Sequence, residues 1–177
     1  MRVRDILVED FVNYKEPCMF ISMGFCNWKC CVEQGIDISI CQNSDMAQMP
    51  ETNIDNNDII DMYVSNPITK AIVIGGLEPF TYTYGIYKFI SQLREVSDDP
   101  VIIYTGYYPE ELYQEMSQLI TLGNIIIKFG RFIPNQDKHI DPVLGVELAS
   151  DNQYALKLTT DLLEETYNKI KDTLNDI

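Results

Sequence analysis

Four short apolar runs constrain the fold of this chain more than any other feature. CMFISM (Cys18 to Met23), KAIVIGG (Lys70 to Gly76), VIIYTG (Val101 to Gly106) and NIIIKF (Asn124 to Phe129) are continuous rather than alternating. A strand that is apolar at successive positions is buried on both faces, the condition of a parallel sheet covered by helices. Helical patterns fall between these runs. DNNDIIDMYVSN (Asp55 to Asn66) starts with acids and amides and carries Ile59, Ile60, Met62 and Tyr63. TYTYGIYKFISQLREV sets Ile86, Phe89, Ile90 and Leu93 at helical spacing, and PEELYQEMSQLI opens on Pro109 and two glutamates, a favoured helix start. NQYALKL (Asn152 to Leu158) reads as a returning edge strand. TTDLLEETYNKIKDTLNDI then reads as an amphipathic terminal helix over about 159–176. The expected architecture is one α/β domain spanning 1–177, a partial (β/α) barrel-like parallel sheet with helices on its outer face. Its 177 residues suit one well-packed domain and no internal repeat or linker divides them.

Charge narrows the partners. Lys and Arg total 13 against 27 Asp and Glu, a formal net charge of −14. That balance repels phosphate backbones, so a small molecule and a protein surface are expected rather than nucleic acid. No stretch reaches the roughly 18 consecutive apolar residues of a membrane span, and MRVRDILVEDFVNY carries acids inside its apolar run, unlike a signal peptide. A cytoplasmic location is expected, where thiols stay reduced.

In that setting the cysteines stand out. Four of the five, Cys26, Cys30, Cys31 and Cys41, crowd a loop over residues 24–43, directly after the first apolar run. Three uses compete. Zinc wants four ligands in a tetrahedron; four sulfurs are available, but adjacent Cys30 and Cys31 point apart in an extended chain, and CxxC is the more familiar zinc spacing. Simple packing suits Cys18, inside a strand, better than four thiols among Asn27, Lys29 and Glu33. An iron–sulfur cluster held by three thiolates is the third use: Cys26 and Cys30 form a CxxxC pair, Cys41 closes the set, and Cys31 is a spare or a rival to Cys30.

FCNWKC, ICQN, VIGGLEPF, VIIYTGYYPEEL, FGRF and SDNQYALKL together carry a resemblance. In this order, from about Asn13 to Leu158, the chain resembles the radical S-adenosylmethionine superfamily, and within it the activating proteins of anaerobic ribonucleoside-triphosphate reductase. The resemblance implies a 4Fe-4S cluster on Cys26, Cys30 and Cys41, with S-adenosyl-L-methionine bound at the free iron. It also implies contacts to that ligand from Ile40, Gln42, Asn43, Gly75, Gly76, Glu78, Tyr104 and Thr105, with Ile40 lying against the adenine. The hallmark of the superfamily is CxxxCxxC, whereas ten residues separate Cys30 from Cys41 here. Lengthening a loop from two residues to ten costs only about 1.4 kcal/mol, at roughly 0.6 per doubling, and Gly35 is placed to help the insertion turn outward. A second departure is Phe129, where the relatives usually have Asp.

GGLEP (Gly75 to Pro79), read without the resemblance, is equally a simple strand-to-helix turn or a close-approach site for a ligand at the strand ends. Tyr104 is nearly as well read as a core or turn residue, and His139 as a solvated loop residue. No general base is needed for the implied reaction, reductive cleavage of S-adenosylmethionine to a 5′-deoxyadenosyl radical. The implied radical acceptor is a glycine in a large partner, the anaerobic ribonucleotide reductase large subunit or another glycyl-radical enzyme, with a flavodoxin or ferredoxin as electron donor. Such a partner is expected to dock near Tyr82, Tyr84, Tyr104, Tyr107 and Tyr108, beside Glu110 and Glu111. Two alternatives stand: a small-molecule radical enzyme resembling the deazapurine carboxylate synthases, and a metal-binding interaction module without turnover.

Overall fold

The computed structural model describes residues 1–175. In chain order the strands and helices are β1 (Arg2–Asp10), β2 (Cys18–Met23), α1 (Lys29–Gln34), β3 (Thr52–Asn53), α2 (Asn56–Ser65), β4 (Ala71–Gly75), α3 (Thr83–Leu93), β5 (Val101–Tyr104), α4 (Tyr113–Leu119), β6 (Ile125–Phe129), β7 (His139–Ile140), β8 (Glu147–Leu148), β9 (Tyr154–Lys157) and α5 (Thr160–Asn175). Asp176, the expected last residue of the terminal helix, lies outside the described residues.

Seven strands form one sheet in the order β3-β1-β2-β4-β5-β6-β9. Its centre, β2-β4-β5-β6, is parallel, with Phe20 opposite Val73, Val73 opposite Ile102 and Ile102 opposite Ile126. The flanks are antiparallel: β1 pairs with β2 and β9 with β6. The fold is therefore α/β with a mostly parallel sheet, as the apolar runs predict, and β9 is the returning edge strand.

Because side chains alternate across a strand, each apolar run serves two cores. Met19, Ile21, Ile72, Ile74, Val101, Ile103, Ile125 and Ile127 pack beneath α2, α3 and α4, with Ile59, Ile86, Phe89, Ile90, Leu93 and Met116. Cys18, Phe20, Ala71, Val73, Ile102 and Ile126 face the other way, against Tyr14, Leu144 and Leu148. Among the described residues no α-helix contributes to this second core. Its cover is the segment holding β7 and β8, organised around buried Asp141, whose carboxylate accepts from the backbone N–H of Val143, Leu144 and Ala155 at 2.8–2.9 Å. Cys18 belongs to this core, with burial pushing its thiol up to about 12, so packing accounts for it.

Five elements have no counterpart among the expected ones: β1, α1 and the two-residue strands β3, β7 and β8. β1 shows no clean alternation, with exposed Leu7 and Val8 next to each other, and α1 lies within the cysteine loop. No helix among the described residues is long and apolar enough to cross a membrane.

Candidate metal centre

The ligand mouth of a parallel sheet lies beyond the C-terminal ends of its strands, and a cavity of about 240 Å³ opens there. Cys26, Cys30 and Cys41 line it together with Glu78, Lys128 and Gln153. The chain reaches this arrangement through local backbone chemistry. After β2, Trp28 takes a left-handed conformation (φ 58°) and starts α1. Its N–H donates to the Cys26 sulfur at 3.3 Å, while Asn27 Oδ1 accepts from the Lys29 N–H at 3.2 Å. Successive residues on a helix diverge by about 100°, so α1 separates the adjacent thiols. Cys30 faces the cavity, and Cys31 is 1% exposed. Gly35 caps α1 at φ 62°, its N–H donating to the Val32 carbonyl, and turns the chain back. Asn43 then donates its side-chain amide to the Gly76 carbonyl, closing the loop onto the turn after β4.

The glycines here are steric necessities. A Cβ on Gly76 (φ 75°) would lie 2.5 Å from the Met46 sulfur and 3.3 Å from the Ser22 Cα; one on Gly106 would lie 2.6 Å from the Cys30 sulfur. Gly75 stays inside β4, where its missing side chain admits Tyr104 and Phe20 at 3.1–3.4 Å, and it does not reach the cavity wall. Gln42, Asn43, Gly76, Tyr104 and Thr105 are on the wall. Ile40 is not: it sits on the outside of the inserted loop, 50% exposed.

Glu78 is nearly all consumed by structure. It accepts from Phe80 N–H at 3.1 Å, Thr105 Oγ1 at 2.7 Å and Gly106 N–H at 2.9 Å, tying the turn after β4 to the turn after β5. Burial pushes its pKa up, against those three donors. The Tyr104 hydroxyl donates to the Asn13 carbonyl at 2.6 Å. Phe129 is fully buried against Tyr154, ring centroids 5.8 Å apart, so it belongs to the core rather than to the site.

Two cations near the thiols were not among the expected site residues. Arg131, its side chain 7% exposed, grips Glu33 of α1 at 2.8 and 3.0 Å and Glu111 at 2.7 Å twice. Tyr107 and Tyr108 lie against its guanidinium, at 5.5 and 5.0 Å from their ring centroids. Lys29 also pairs with Glu111. This cluster fastens the cysteine helix to the loop after β5. Lys128, on β6, is itself 7% exposed. Burial pushes the Cys26 thiol up to about 12 and raises Cys30 as well, while Arg131 and Lys128 pull only Cys30 back down. The signal that would have found Lys128 is in the sequence: a lysine inside an apolar strand must be buried and must be partnered.

The tyrosines expected at one docking face divide. Tyr104 is on the cavity wall and Tyr107 and Tyr108 serve the Arg131 cluster, while Tyr82 and Tyr84 line a different hollow with Asn56 and Lys88. His139 sits in the β7–β8 ribbon, its Nδ1 buried without a partner among the described residues.

Among the described residues no three His, Cys, Asp or Glu side chains converge closely enough to hold a single ion. Tetrahedral zinc, with every sulfur about 2.3 Å from one point, does not match this spread. A cubane does not need that convergence, because each thiolate binds a different corner of it. The donor set is thus three soft sulfurs facing one cavity in an α/β scaffold, the chemistry of an iron–sulfur protein. The model of the 4Fe-4S single cluster domain family matches residues 18–156, most of the chain, and the chain belongs to that family. No curated protein and no solved structure matches it.

Proposed function

We propose that the chain is a radical S-adenosylmethionine enzyme whose cluster is held by Cys26, Cys30 and Cys41. The observation that carries this reading is that these three thiols share one cavity with Gly76, Asn43 and Thr105 at the ends of the parallel strands. When bound, the cluster supplies the single electron that splits the sulfonium of S-adenosylmethionine. Everything else is done by the chain. Gly76, at φ 75° and with no Cβ, lets Met46 and Ser22 close on the turn after β4, and the Asn43 amide holds its carbonyl in place. Glu78 keeps the turns after β4 and β5 at a fixed separation. Phe20 and Leu148 supply apolar wall that excludes water. Within this class we read the chain as an activase that places a radical on a glycine of a large partner, fed by a flavodoxin- or ferredoxin-type donor. Exposed Phe25 and Val32, on the loop that carries the cysteines, are the apolar contacts such a partner would find beside the mouth.

Anaerobic reconstitution with iron and sulfide tests the first part, with about four of each expected per chain. The reduced, loaded protein is then expected to release 5′-deoxyadenosine from S-adenosylmethionine. A protein that retains stoichiometric zinc and no iron overturns the cluster; full iron without 5′-deoxyadenosine overturns the reaction. Cys41→Ala is expected to abolish iron retention and Cys31→Ala to leave it intact, and the reverse result would reassign the third ligand.

A further inference from the structure

A lysine ammonium inside a protein needs partners for its charge and its three hydrogens. Lys128 has one: its Nζ donates to the Gly130 carbonyl at 3.3 Å. It makes no ion pair among the described residues, whereas Arg131 nearby is spent on Glu33 and Glu111. The strand register aims Lys128 at the cavity, because it shares a face of β6 with Ile126 and stands opposite Tyr104. Among the described residues it is the one cation on that cavity wall. The rest of the wall is its electrostatic opposite. Metal binding takes the protons from Cys26, Cys30 and Cys41, and Glu78 adds a carboxyl. Glu147, the remaining acid on the wall, is paired with Lys138 at 3.0 Å. Negative charge therefore accumulates in a region of low dielectric, where one nearby cation has a large effect.

We propose that Lys128 is the built-in counter-charge of the cluster and sets its reduction potential, the ammonium favouring the more negative, reduced state. This rests on the ligand set proposed above. Net charge near a thiolate cluster is one of the known determinants of its potential. The step concerned is the transfer of one electron from an external low-potential reductant, dithionite or a reduced viologen in the test; no bond to Lys128 forms or breaks and its proton stays on nitrogen.

The test is a mediated redox titration of the reconstituted protein, followed by electron paramagnetic resonance, on wild type, Lys128→Met, Lys128→Gln and Lys128→Arg. At the potential where wild type is half reduced, the two neutral variants are expected to show a reduced-to-oxidised ratio at least tenfold lower, about 59 mV for a one-electron couple. Lys128→Arg is expected to stay within about threefold of wild type, and the iron content and the line shape to be the same in all four. Neutral variants that titrate with wild type overturn the inference. So does an unchanged titration accompanied by weaker S-adenosylmethionine binding, which would make Lys128 a ligand anchor instead. Wild-type protein that takes up no iron overturns the ligand set as well, so the two failures are distinguishable.

Discussion

Gly106 and Cys30 show how narrowly single residues define the centre. With 2.6 Å between a Cβ at 106 and the Cys30 sulfur, Gly106→Ala forces the thiol out of its present position. The variant is expected to keep its thermal midpoint within a few degrees and to lose most of its iron after reconstitution; full iron content would show that the approach is unimportant. Arg131 is the opposite case, a residue whose loss is felt in stability. Arg131→Met breaks two forked carboxylate pairs, and the expected cost in urea unfolding is about 2 kcal/mol, below the usual figure for a buried pair because Glu33 stays half exposed. Glu111 adds a pH dependence. Burial alone would raise its pKa, but hydrogen bonds from Arg131, Lys29 and the Tyr108 N–H outweigh it and hold the carboxyl at about 2, against an ordinary 4.5. A carboxyl depressed by folding contributes stability above its unfolded value and loses it as the pH falls toward the folded one. Between pH 5 and pH 2.5 the urea midpoint of wild type is therefore expected to fall more steeply than that of Glu111→Gln, and parallel profiles would contradict this. Glu111 is thus an internal ion-pair partner rather than a free docking charge, and Glu110 lies 3.5 Å from Lys169 of α5. Neither role was legible in PEEL, because the cation that claims Glu111 lies twenty residues further along the chain.

At the scale of elements, what was legible is what is encoded locally. CMFISM is β2 to the residue, and AIVIG, VIIY and IIIKF are β4, β5 and β6, because a run buried on both faces states its own boundaries. The N-terminal strand was not legible: Leu7, Val8 and Glu9 in succession are exposed, and the sheet rather than its own pattern makes it a strand. Helix α1 was hidden for a different reason. Six residues are too few for a self-standing helix, and what holds it is Glu33 in the fork of Arg131, a contact from ninety-eight residues away. The helix starts behaved more simply. Asp55 was in view as an early acid, and its side chain accepts from the Asn57 N–H at 2.8 Å as the cap of α2. Asp55→Ala is expected to cost about 1 kcal/mol, measured by urea unfolding at neutral pH; an unchanged midpoint would mean that α2 is held by packing alone.

The whole molecule joins two unlike halves, a sheet face sealed by α2, α3 and α4 and a face covered by a loop segment, with the cavity at the end of the second. The sequence made the first half plain through helical spacing. It left the second obscure, since residues 130–150 cover the sheet by turns and by one buried aspartate rather than by periodic apolar residues. The division has a consequence for how the protein is made. The buried residues of the cores are mainly Ile, Val, Leu, Met and Phe and include none of the three cavity cysteines, whereas the cavity itself draws on residues from Asn13 to Gln153 and exists only once β2, β4, β5 and β6 are side by side. Small zinc domains fold because they are metallated; here the reverse order is expected. Maturation would then be a delivery problem, with iron and sulfide reaching a protein already folded. The iron-free form is accordingly expected to unfold in urea as a single cooperative unit, and an iron-free chain without a cooperative transition would contradict this.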